Sequence, residues 1–261
     1  MRLDGKVAVV TGGGSGLGLA SAIAMAREGA AIVVGDLSGD TAVETATMIT
    51  DAGGRARGMA TDVTDAEACE ALMQAAVDTF GGLHVLHANA GISLPGQDGP
   101  TADMDPAIWD KVIAVNLSGV FYCCHHALPR MGASGGGSII NTCSSMAHLP
   151  LGNMDGYAAS KGGAANLTKS MAASAAKLGV RVNGISPGYV ETAMTEMIWQ
   201  IPEARDAFAL GHADGLQTPE EIADVVVFLA SDEARSLTGA VLTCDRGWTA
   251  FKMPDVVRQF S

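Results

Sequence analysis

The residues with the clearest chemical potential are Tyr157 and Lys161, which stand four positions apart in a segment with helical character. Side chains at that spacing lie on one face of a helix. A free phenol has a pKa of about 10, and a cation ~4.5 Å away at an effective dielectric of about 20 stabilises the phenolate by ~3.7 kcal/mol, or about 2.7 pK units. The pair therefore predicts a tyrosine that exchanges a proton near neutral pH. An exposed tyrosine beside a solvated lysine on a surface helix is the alternative that spacing alone leaves open.

Short β-branched runs alternate with longer alanine-rich segments along the whole chain. Strands that are apolar throughout must be covered by helices on both faces. The pattern predicts an α/β fold, a single Rossmann-type doubly wound domain over residues 1–261 with a seven-stranded parallel sheet and helices on both faces. The predicted strands are residues 7–11, 31–35, 55–60, 83–88, 138–142, 180–186 and 241–244. The predicted helices are residues 17–28, 41–51, 66–80, 106–131 and 156–178.

Two segments do not follow this alternation. Residues 191–215 mix methionines and a tryptophan with polar residues, which predicts a flexible apolar lid over a cleft. A surface helix that packs those residues inward is the alternative. Residues 252–261 carry apolar side chains, and this tail either joins a neighbouring subunit or is disordered.

The charge balance limits the classes of partner. The net charge of −12 over 261 residues argues against nucleic acid and against anionic membranes, which both require a concentrated basic surface. The N-terminal apolar run is too short for a signal peptide, and no uninterrupted apolar stretch reaches the roughly 18 residues of a membrane span. These features predict a soluble, cytoplasmic protein whose partner is a small molecule.

Residues 123–126, Cys-Cys-His-His, have the residue types of a zinc site. Consecutive helical positions point about 100° apart, so four of them cannot converge on one tetrahedral ion. We therefore predict no metal there. The sequence leaves two roles open for His148 and His212, which are either substrate contacts or solvated loop residues.

A glycine-rich run from Thr11 to Gly18 follows the first strand and opens the first helix. In that context backbone N–H groups can approach the pyrophosphate of a dinucleotide. Asp36 ends the second strand, where a carboxylate accepts hydrogen bonds from ribose hydroxyls and repels a 2′-phosphate. Neither Ser15 nor Leu37 offers a compensating positive charge, so the sequence favours NAD over NADP. A capping role for Asp36 at the next helix is the alternative.

Six motifs in this order and spacing resemble those of the short-chain dehydrogenase/reductase family. The resemblance runs from about residue 5 to residue 250, and it is specific for the family but not for a substrate. The motifs are the glycine run from Thr11 to Gly18, Asn89-Ala-Gly91, Asn116, Ser144, Tyr157-x-x-x-Lys161 and Pro187-Gly188.

The resemblance implies a catalytic set of Asn116, Ser144, Tyr157 and Lys161. Tyr157 corresponds to the general acid/base, Lys161 to the group that lowers its pKa and binds the nicotinamide ribose, and Ser144 to the residue that polarises the substrate carbonyl. Asn116 corresponds to the asparagine that holds a water in a proton relay through Lys161. Ser145 is the second choice for the serine, and a helix-interior amide bonded to a carbonyl is the alternative for Asn116.

The resemblance also implies a cofactor site for NAD, with Asp62 and Val63 at the adenine and residues 187–192 at the carboxamide. The implied cofactor residues are Gly12, Ser15, Gly16, Leu17, Gly18, Asp36, Leu37, Asp62, Val63, Asn89, Ala90, Gly91, Tyr157, Lys161, Pro187, Gly188, Val190 and Thr192. The side chains expected to face the substrate are Leu94, Met146, Leu149, Met154, Tyr189, Met194, Met197 and Trp199. Such a pocket favours an apolar or cyclic substrate.

The resulting expectation is a homotetrameric enzyme that oxidises a secondary alcohol to a ketone, reversibly and with NAD. A 3-oxoacyl reductase is one alternative, although it would usually require NADPH and a basic surface for an acyl carrier. A protein that binds NAD without turnover is the other, although a pure binder has no need of the catalytic set. Three departures from the family pattern, at His84, at His87-Ala88 and at Asp245-Arg-Gly247, are expected to alter local support rather than chemistry.

Overall fold

The computed structural model describes residues 1–251, except for the side chains of residues 197 and 198, so the tail 252–261 lies outside the described residues. Its seven strands form one parallel sheet in the order β3-β2-β1-β4-β5-β6-β7. The predicted doubly wound α/β fold is confirmed. The strands are β1 (Val7–Thr11), β2 (Ala31–Asp36), β3 (Arg55–Ala60), β4 (Val85–Ala88), β5 (Gly137–Thr142), β6 (Val180–Pro187) and β7 (Val241–Cys244).

Helices connect the strands and cover both faces of the sheet. They are α1 (Gly16–Arg27), α2 (Gly39–Asp51), α3 (Ala66–Phe80), α4 (Pro106–Ile113), α5 (Gly119–Ala133), α6 (Asp155–Ala175), α7 (Glu196–Trp199), α8 (Pro202–Leu210) and α9 (Pro219–Ala230). The N-termini of two helices carry residue types that favour the start of a helix. Ser38 caps α2, and Thr218 with Glu221 forms a capping box at α9, where Pro219 occupies the first turn.

The segment 106–131 is helical as predicted, but its hydrogen bonding is not α-helical throughout. A π-helical turn, Ala114–Ser118, separates α4 from α5, and the Gly119 N–H donates to the carbonyl of Ala114. Such wide turns are rare and cluster at functional sites. The turn carries Asn116, whose side chain is bound to a distant loop, and that tertiary constraint leaves no mark on the helical pattern.

Two apolar layers sandwich the sheet, because alternate strand residues point to opposite faces. Val9 and Val33 belong to the layer covered by α3, α5 and α6. Val10 and Val34 belong to the layer covered by α1, α2 and α9. Burial on both faces explains why these strands are apolar throughout.

The stretch Pro106–Ala133 is, among residues 1–251, the one helix long and apolar enough by length and composition to cross a membrane. Its position gives another reason for that composition. Cys123, Ala127 and Met131 are buried in the layer shared with α3 and α6. The helix therefore contributes a face to the core. Core helices of soluble proteins can be as long and as apolar as a membrane-spanning helix.

The strand order reverses between β1 and β4, because β2 and β3 lie on one side of β1 and β4 to β7 on the other. A crevice forms at the carboxyl ends of the strands at such a point. Between β6 and α9, a 3₁₀ turn (Ala193–Thr195), α7 and α8 occupy the segment that the sequence predicts as a lid. These two short helices stand beside the crevice.

Candidate active site

A cavity of about 650 Å³ occupies the crevice at the carboxyl edge of the sheet. All the residues expected to bind the cofactor line it, with the exception of Gly18. Ser144, Tyr157 and Lys161 line it as well, whereas Asn116 lies fully buried outside its wall. The fold therefore gathers residues from the ends of six strands, β1 to β6, around one space.

The glycine loop leaves its backbone open toward this cavity. Gly12 and Gly16 have positive φ values of 59° and 51°, a conformation that L side chains rarely adopt. Gly18 is required by packing, because a Cβ there would lie 2.0 Å from the carbonyl oxygen of Gly12. The N-terminus of α1 has no side-chain cap at Ser15 and no acidic residue in its first turn. The uncapped N–H groups and the open loop fit a pyrophosphate.

Asp36 stands at the end of β2, on the wall of the cavity. One carboxylate oxygen accepts the N–H of Gly14 at 2.9 Å and the other accepts the N–H of Ser38 at 3.1 Å. Ser38, not Asp36, caps α2. Each carboxylate oxygen can accept a further hydrogen bond, so the group fits two ribose hydroxyls.

Tyr157 lies in the first turn of α6, and a residue from a distant loop holds that turn in place. The buried carboxylate of Asp98 accepts the N–H of Gly156 at 3.0 Å and of Tyr157 at 2.7 Å. The pKa of the Tyr157 phenol is raised by burial, and a hydrogen bond with Ser144 opposes that rise. The spacing of Tyr157 and Lys161 in the sequence predicts the opposite, a net decrease in this pKa. Burial is the larger effect and outweighs the hydrogen bond with Ser144.

Lys161 is buried one helical turn after Tyr157. Its Nζ donates to the carbonyl oxygen of Thr142, at the end of β5, at 2.8 Å, and lies 5.8 Å from the centre of the Tyr157 ring. Burial lowers the pKa of Lys161 to about 8. The side chain is therefore still a cation at neutral pH, and its charge lies beside the phenol.

Asn116 closes the π-helical turn onto the loop after β4. Its Oδ1 accepts the N–H of Ile92 at 2.8 Å, and its Nδ2 donates to the carbonyl of Ile92 at 2.9 Å. Nδ2 also donates to Ser160 Oγ at 3.2 Å, which in turn donates to the carbonyl of Tyr157 at 2.7 Å. The side chain is therefore a buried amide that ties three segments together, and it stands 3.3 Å from where a Cβ on Gly91 would lie, as does Lys161 Nζ.

Polar side chains also join the strand ends beneath the cavity. The Asn89 amide donates to the carbonyls of Thr11 at 3.1 Å and Gly12 at 3.2 Å, and its oxygen accepts from Thr142 Oγ1 at 3.3 Å. His87 is fully buried, with Nε2 3.0 Å from Thr142 Oγ1. Burial lowers the pKa of His87 to about 3, so the ring is neutral. These contacts fix β1, β4 and β5 relative to one another at the site.

Only some of the residues predicted to face the substrate line the cavity. Met146, Met154, Tyr189 and Met194 line it, whereas the side chain of Met197 is not among those described. Leu94, Leu149 and Trp199 do not line the cavity, so their contact with the substrate stays a prediction. Leu94 belongs to a turn whose carbonyl accepts the N–H of Asp98, Leu149 is exposed, and the Trp199 indole donates to Thr195 Oγ1 at 2.8 Å.

Several residues that line the cavity were not predicted from the sequence. The apolar ones are Ile92, Pro95, Leu151, Ile201, Ala204 and Phe208. Three of them, Ile201, Ala204 and Phe208, lie in or next to α8, inside the segment predicted as a lid. The position of that segment was therefore the one sequence feature that could have indicated them. Which of its faces turns toward the cleft depends on tertiary packing.

Two contacts attach the lid segment to the body. His212 is buried rather than solvated, and the ring bridges α8 and β6, with Nδ1 2.7 Å from the carbonyl of Phe208 and Nε2 accepting the N–H of Tyr189 at 3.2 Å. Arg246 donates to the carbonyl of Gly215, the last residue of the lid segment, at 3.3 Å and forms an ion pair with Glu221 on α9. His148 is exposed and reaches Ser186 Oγ at 3.0 Å, so neither histidine lines the cavity.

The side chains of residues 123–126 diverge, as their helical positions require. Cys123 and Cys124 are buried in the core, where Cys123 Sγ lies 3.7 Å from Cys69 Sγ. His125 stacks on Phe121 at the surface, with ring centres 5.8 Å apart. Within residues 1–251, no group of three or more His, Cys, Asp or Glu side chains is arranged to hold a metal ion.

A doubly wound sheet, an open glycine loop and a Tyr-Lys pair beside a serine define an oxidoreductase that uses a nicotinamide cofactor. A family model described as enoyl-(acyl carrier protein) reductase matches residues 12–249. The chain belongs to the short-chain dehydrogenase/reductase family, and it is an oxidoreductase of the type that acts on CH–OH groups.

Characterised relatives cover almost the whole chain. It is 43% identical to a cis-4-hydroxycyclohexanecarboxylate dehydrogenase of Sinomonas cyclohexanicum, over 94% of this chain and 97% of that one. It is 37% identical to a cyclohexanol dehydrogenase of an Acinetobacter species, over 95% and 97% of the two chains. A short-chain type dehydrogenase/reductase from Mycobacterium marinum superposes with a TM-score of 0.89 at 29% identity, over 96% and 98% of the chains.

Proposed function

We propose that this protein oxidises a cyclic, largely apolar secondary alcohol to the ketone, reversibly and with NAD, using Tyr157 as the general base. The observation that carries the proposal is that Tyr157, Ser144 and Lys161 line the same cavity as Asp36. Together these groups supply a proton acceptor, a hydroxyl for the substrate oxygen, and a carboxylate for ribose hydroxyls. A protein that only bound the dinucleotide would not need the first two.

The residues act on the substrate oxygen in the following way. The Tyr157 phenolate accepts the proton of the substrate hydroxyl, while Ser144 donates a hydrogen bond to the same oxygen. Lys161, still a cation at neutral pH, favours the phenolate by its charge. A bound nicotinamide supplies the acceptor for the carbinol hydride. In the reverse direction Tyr157 returns the proton to the carbonyl oxygen.

The preference for NAD rests on the charge at the end of β2. Asp36 presents a carboxylate to the cavity, and Lys161 is the only cation that lines the cavity within residues 1–251. A 2′-phosphate beside Asp36 would therefore meet repulsion with no compensating charge nearby. Leu37, which follows Asp36 and is exposed, offers no donor to such a phosphate.

The preference for a cyclic apolar alcohol rests on the wall of the cavity and on relatives. Met146, Leu151, Met154, Ile201 and Phe208 contribute apolar side chains to the wall of the cavity that Tyr157 also lines. Two relatives, at 43% and 37% identity, are named for the oxidation of hydroxycyclohexanecarboxylate and of cyclohexanol. A six-membered ring is therefore the first substrate skeleton to test.

We also propose a cytoplasmic homotetramer. In support, Trp109 on α4 and Phe121 on α5 are 40% and 48% exposed, so the long helical stretch keeps large apolar side chains outside the core of one chain. Burial of such side chains against another copy would remove apolar surface from water.

The direct test of the catalytic proposal is Tyr157→Phe, which removes the proton acceptor and preserves the ring. General acid/base catalysis contributes about 10²- to 10⁴-fold, so we expect kcat for cyclohexanol oxidation to fall about 1,000-fold. The Kd for NAD, measured by calorimetry, should change by less than about threefold, since the hydroxyl acts on the substrate oxygen.

The chain offers a matched control, because Tyr122 lies on α5, partly buried and outside the cavity wall. Tyr122→Phe removes the same atom and should retain wild-type kcat. Retention of more than about a tenth of wild-type kcat by Tyr157→Phe would remove Tyr157 from the reaction. A wild-type protein that binds NAD tightly and oxidises no secondary alcohol would support a binding protein instead.

A further inference from the structure

Tyr189 is a cavity residue with an unused hydrogen-bonding group. It follows Pro187-Gly188 at the end of β6 and lines the cavity. Its hydroxyl oxygen is buried, and no residue within the described part of the chain hydrogen-bonds to it. Buried phenol hydroxyls usually have a partner, so the missing one is a position for a ligand atom.

The position of the Tyr189 ring is fixed by neighbouring aromatic rings. Its centre lies 4.2 Å from that of Phe208, 5.1 Å from that of Trp248 and 5.9 Å from that of His212. The backbone N–H of Tyr189 is also held by His212 Nε2 at 3.2 Å. These contacts pack against the ring and restrict its rotation.

The Tyr189 hydroxyl is a protonated donor near the reacting group. Burial raises the pKa of this phenol, and the nearby Tyr157 phenol raises it further. Tyr189 therefore keeps its proton at the pH at which Tyr157 exchanges one. The two tyrosines cannot share the role of base, and Tyr189 is left to bind a different substrate atom.

The charges around the cavity decide which atom Tyr189 can bind. Lys161 is the only cation in the described wall, and its Nζ is already bonded to the carbonyl of Thr142. Arg205 on α8 is exposed and paired with Glu191 at 2.8 Å. A substrate carboxylate would lose its hydration and gain one neutral donor, which does not compensate for that loss. An uncharged oxygen loses far less on entering.

We propose that Tyr189 selects substrates that carry a second, uncharged oxygen, by donating a hydrogen bond to it while Tyr157 and Ser144 engage the reacting hydroxyl. The preferred substrates are then cyclic diols or cyclic hydroxyketones rather than plain cycloalkanols or hydroxycarboxylates. This inference rests on the proposed function, because it assumes that the cavity binds an alcohol for oxidation.

The test compares three ring alcohols that differ only in the second substituent: cyclohexanol, cyclohexane-1,4-diol and 4-hydroxycyclohexanecarboxylate. Initial rates of NAD reduction give kcat/KM for each with the wild-type enzyme and with Tyr189→Phe. We expect the wild type to prefer the diol to both others. Tyr189→Phe should lower the ratio of kcat/KM for the diol to that for cyclohexanol about tenfold, the effect of one lost hydrogen bond to a neutral group.

The ratio normalises for any loss of folded protein, because both alcohols are measured on one sample. Tyr122→Phe removes a phenol hydroxyl outside the cavity and should leave the ratio within about twofold of the wild-type value. An unchanged ratio in Tyr189→Phe, with cyclohexanol still oxidised, overturns the role of Tyr189 and leaves the proposed function standing. A wild-type preference for the carboxylate overturns the requirement for an uncharged oxygen. Failure to oxidise any of the three overturns the proposed function and this inference with it.

Discussion

His87, in β4, is a buried histidine whose neutrality contributes to stability in a way that depends on pH. Its ring is fully buried, Nε2 lies 3.0 Å from Thr142 Oγ1, and Nδ1 has no partner among the described residues. Thr142 also presents its carbonyl to Lys161 and its hydroxyl to Asn89. A proton on His87 would therefore place an uncompensated charge close to the Lys161 cation.

The magnitude follows from the pKa of His87, which burial lowers from 6.5 to about 3. Between those two values the unfolded chain binds a proton that the folded chain does not, so stability falls as the pH falls below 6.5. At pH 5 the unfolded imidazole is almost fully protonated and the folded one is neutral. Each pK unit corresponds to about 1.4 kcal/mol, so this one residue lowers the free energy of unfolding by about 2 kcal/mol between pH 7 and pH 5.

The assay is urea denaturation at pH 7 and at pH 5, at one fixed protein concentration, with the wild type and with His87→Leu. Leucine fills the site without a titratable group, and the Thr142 hydroxyl keeps its bond to Asn89. The wild type should lose about 2 kcal/mol more than the variant across this interval, because all other titrating groups are common to both. The m-values should agree, which shows that both chains unfold to the same extent. A difference below about 0.5 kcal/mol would refute the argument from burial.

Two further predictions concern the cofactor and the π-helical turn. Asp36→Ala should raise KM for NAD about 10- to 100-fold and weaken discrimination against NADP, measured by initial rates with both cofactors, while Asp40→Ala, an exposed acid on α2, changes neither. Equal preference before and after the change would reject the ribose role. Asn116→Ala leaves the N–H and carbonyl of Ile92 unpaired and should lower the free energy of unfolding by ~2–4 kcal/mol. Asn166→Ala, at an exposed position of α6, should cost less than about 0.5 kcal/mol, and an equal loss in both variants would contradict the argument.

The sheet and the ends of its strands could be predicted because their signals are local. A run such as Val7–Thr11 is apolar on both faces only if helices cover both, and the glycines that follow it mark the turn into α1. The chemistry-bearing residues follow strands in the sequence, so a parallel sheet brings them to one edge. That reasoning placed Ser144, Tyr157 and Lys161 on one cavity wall.

The placement of supporting residues depended on contacts between segments far apart in the chain. Asp98 binds the N–H of Tyr157 across 59 positions, and Asn116 binds Ile92 across 24. Neither partner carries a local signal for the other. Leu94 and Trp199 were assigned to the substrate side because they are apolar and near the motifs, but turns and packing direct them elsewhere.

The sequence by itself determined the fold, the open loop beside Asp36 and the Tyr157-Lys161 pair, because each depends on residue type and short spacing. Only the tertiary structure decided the pKa of Tyr157, which burial raises where the helical spacing alone predicts a decrease. It also decided that the Tyr189 hydroxyl has no partner within the described chain. Solvation and hydrogen-bond satisfaction are properties of the whole surrounding shell, and that shell is assembled from segments that the chain brings together only on folding.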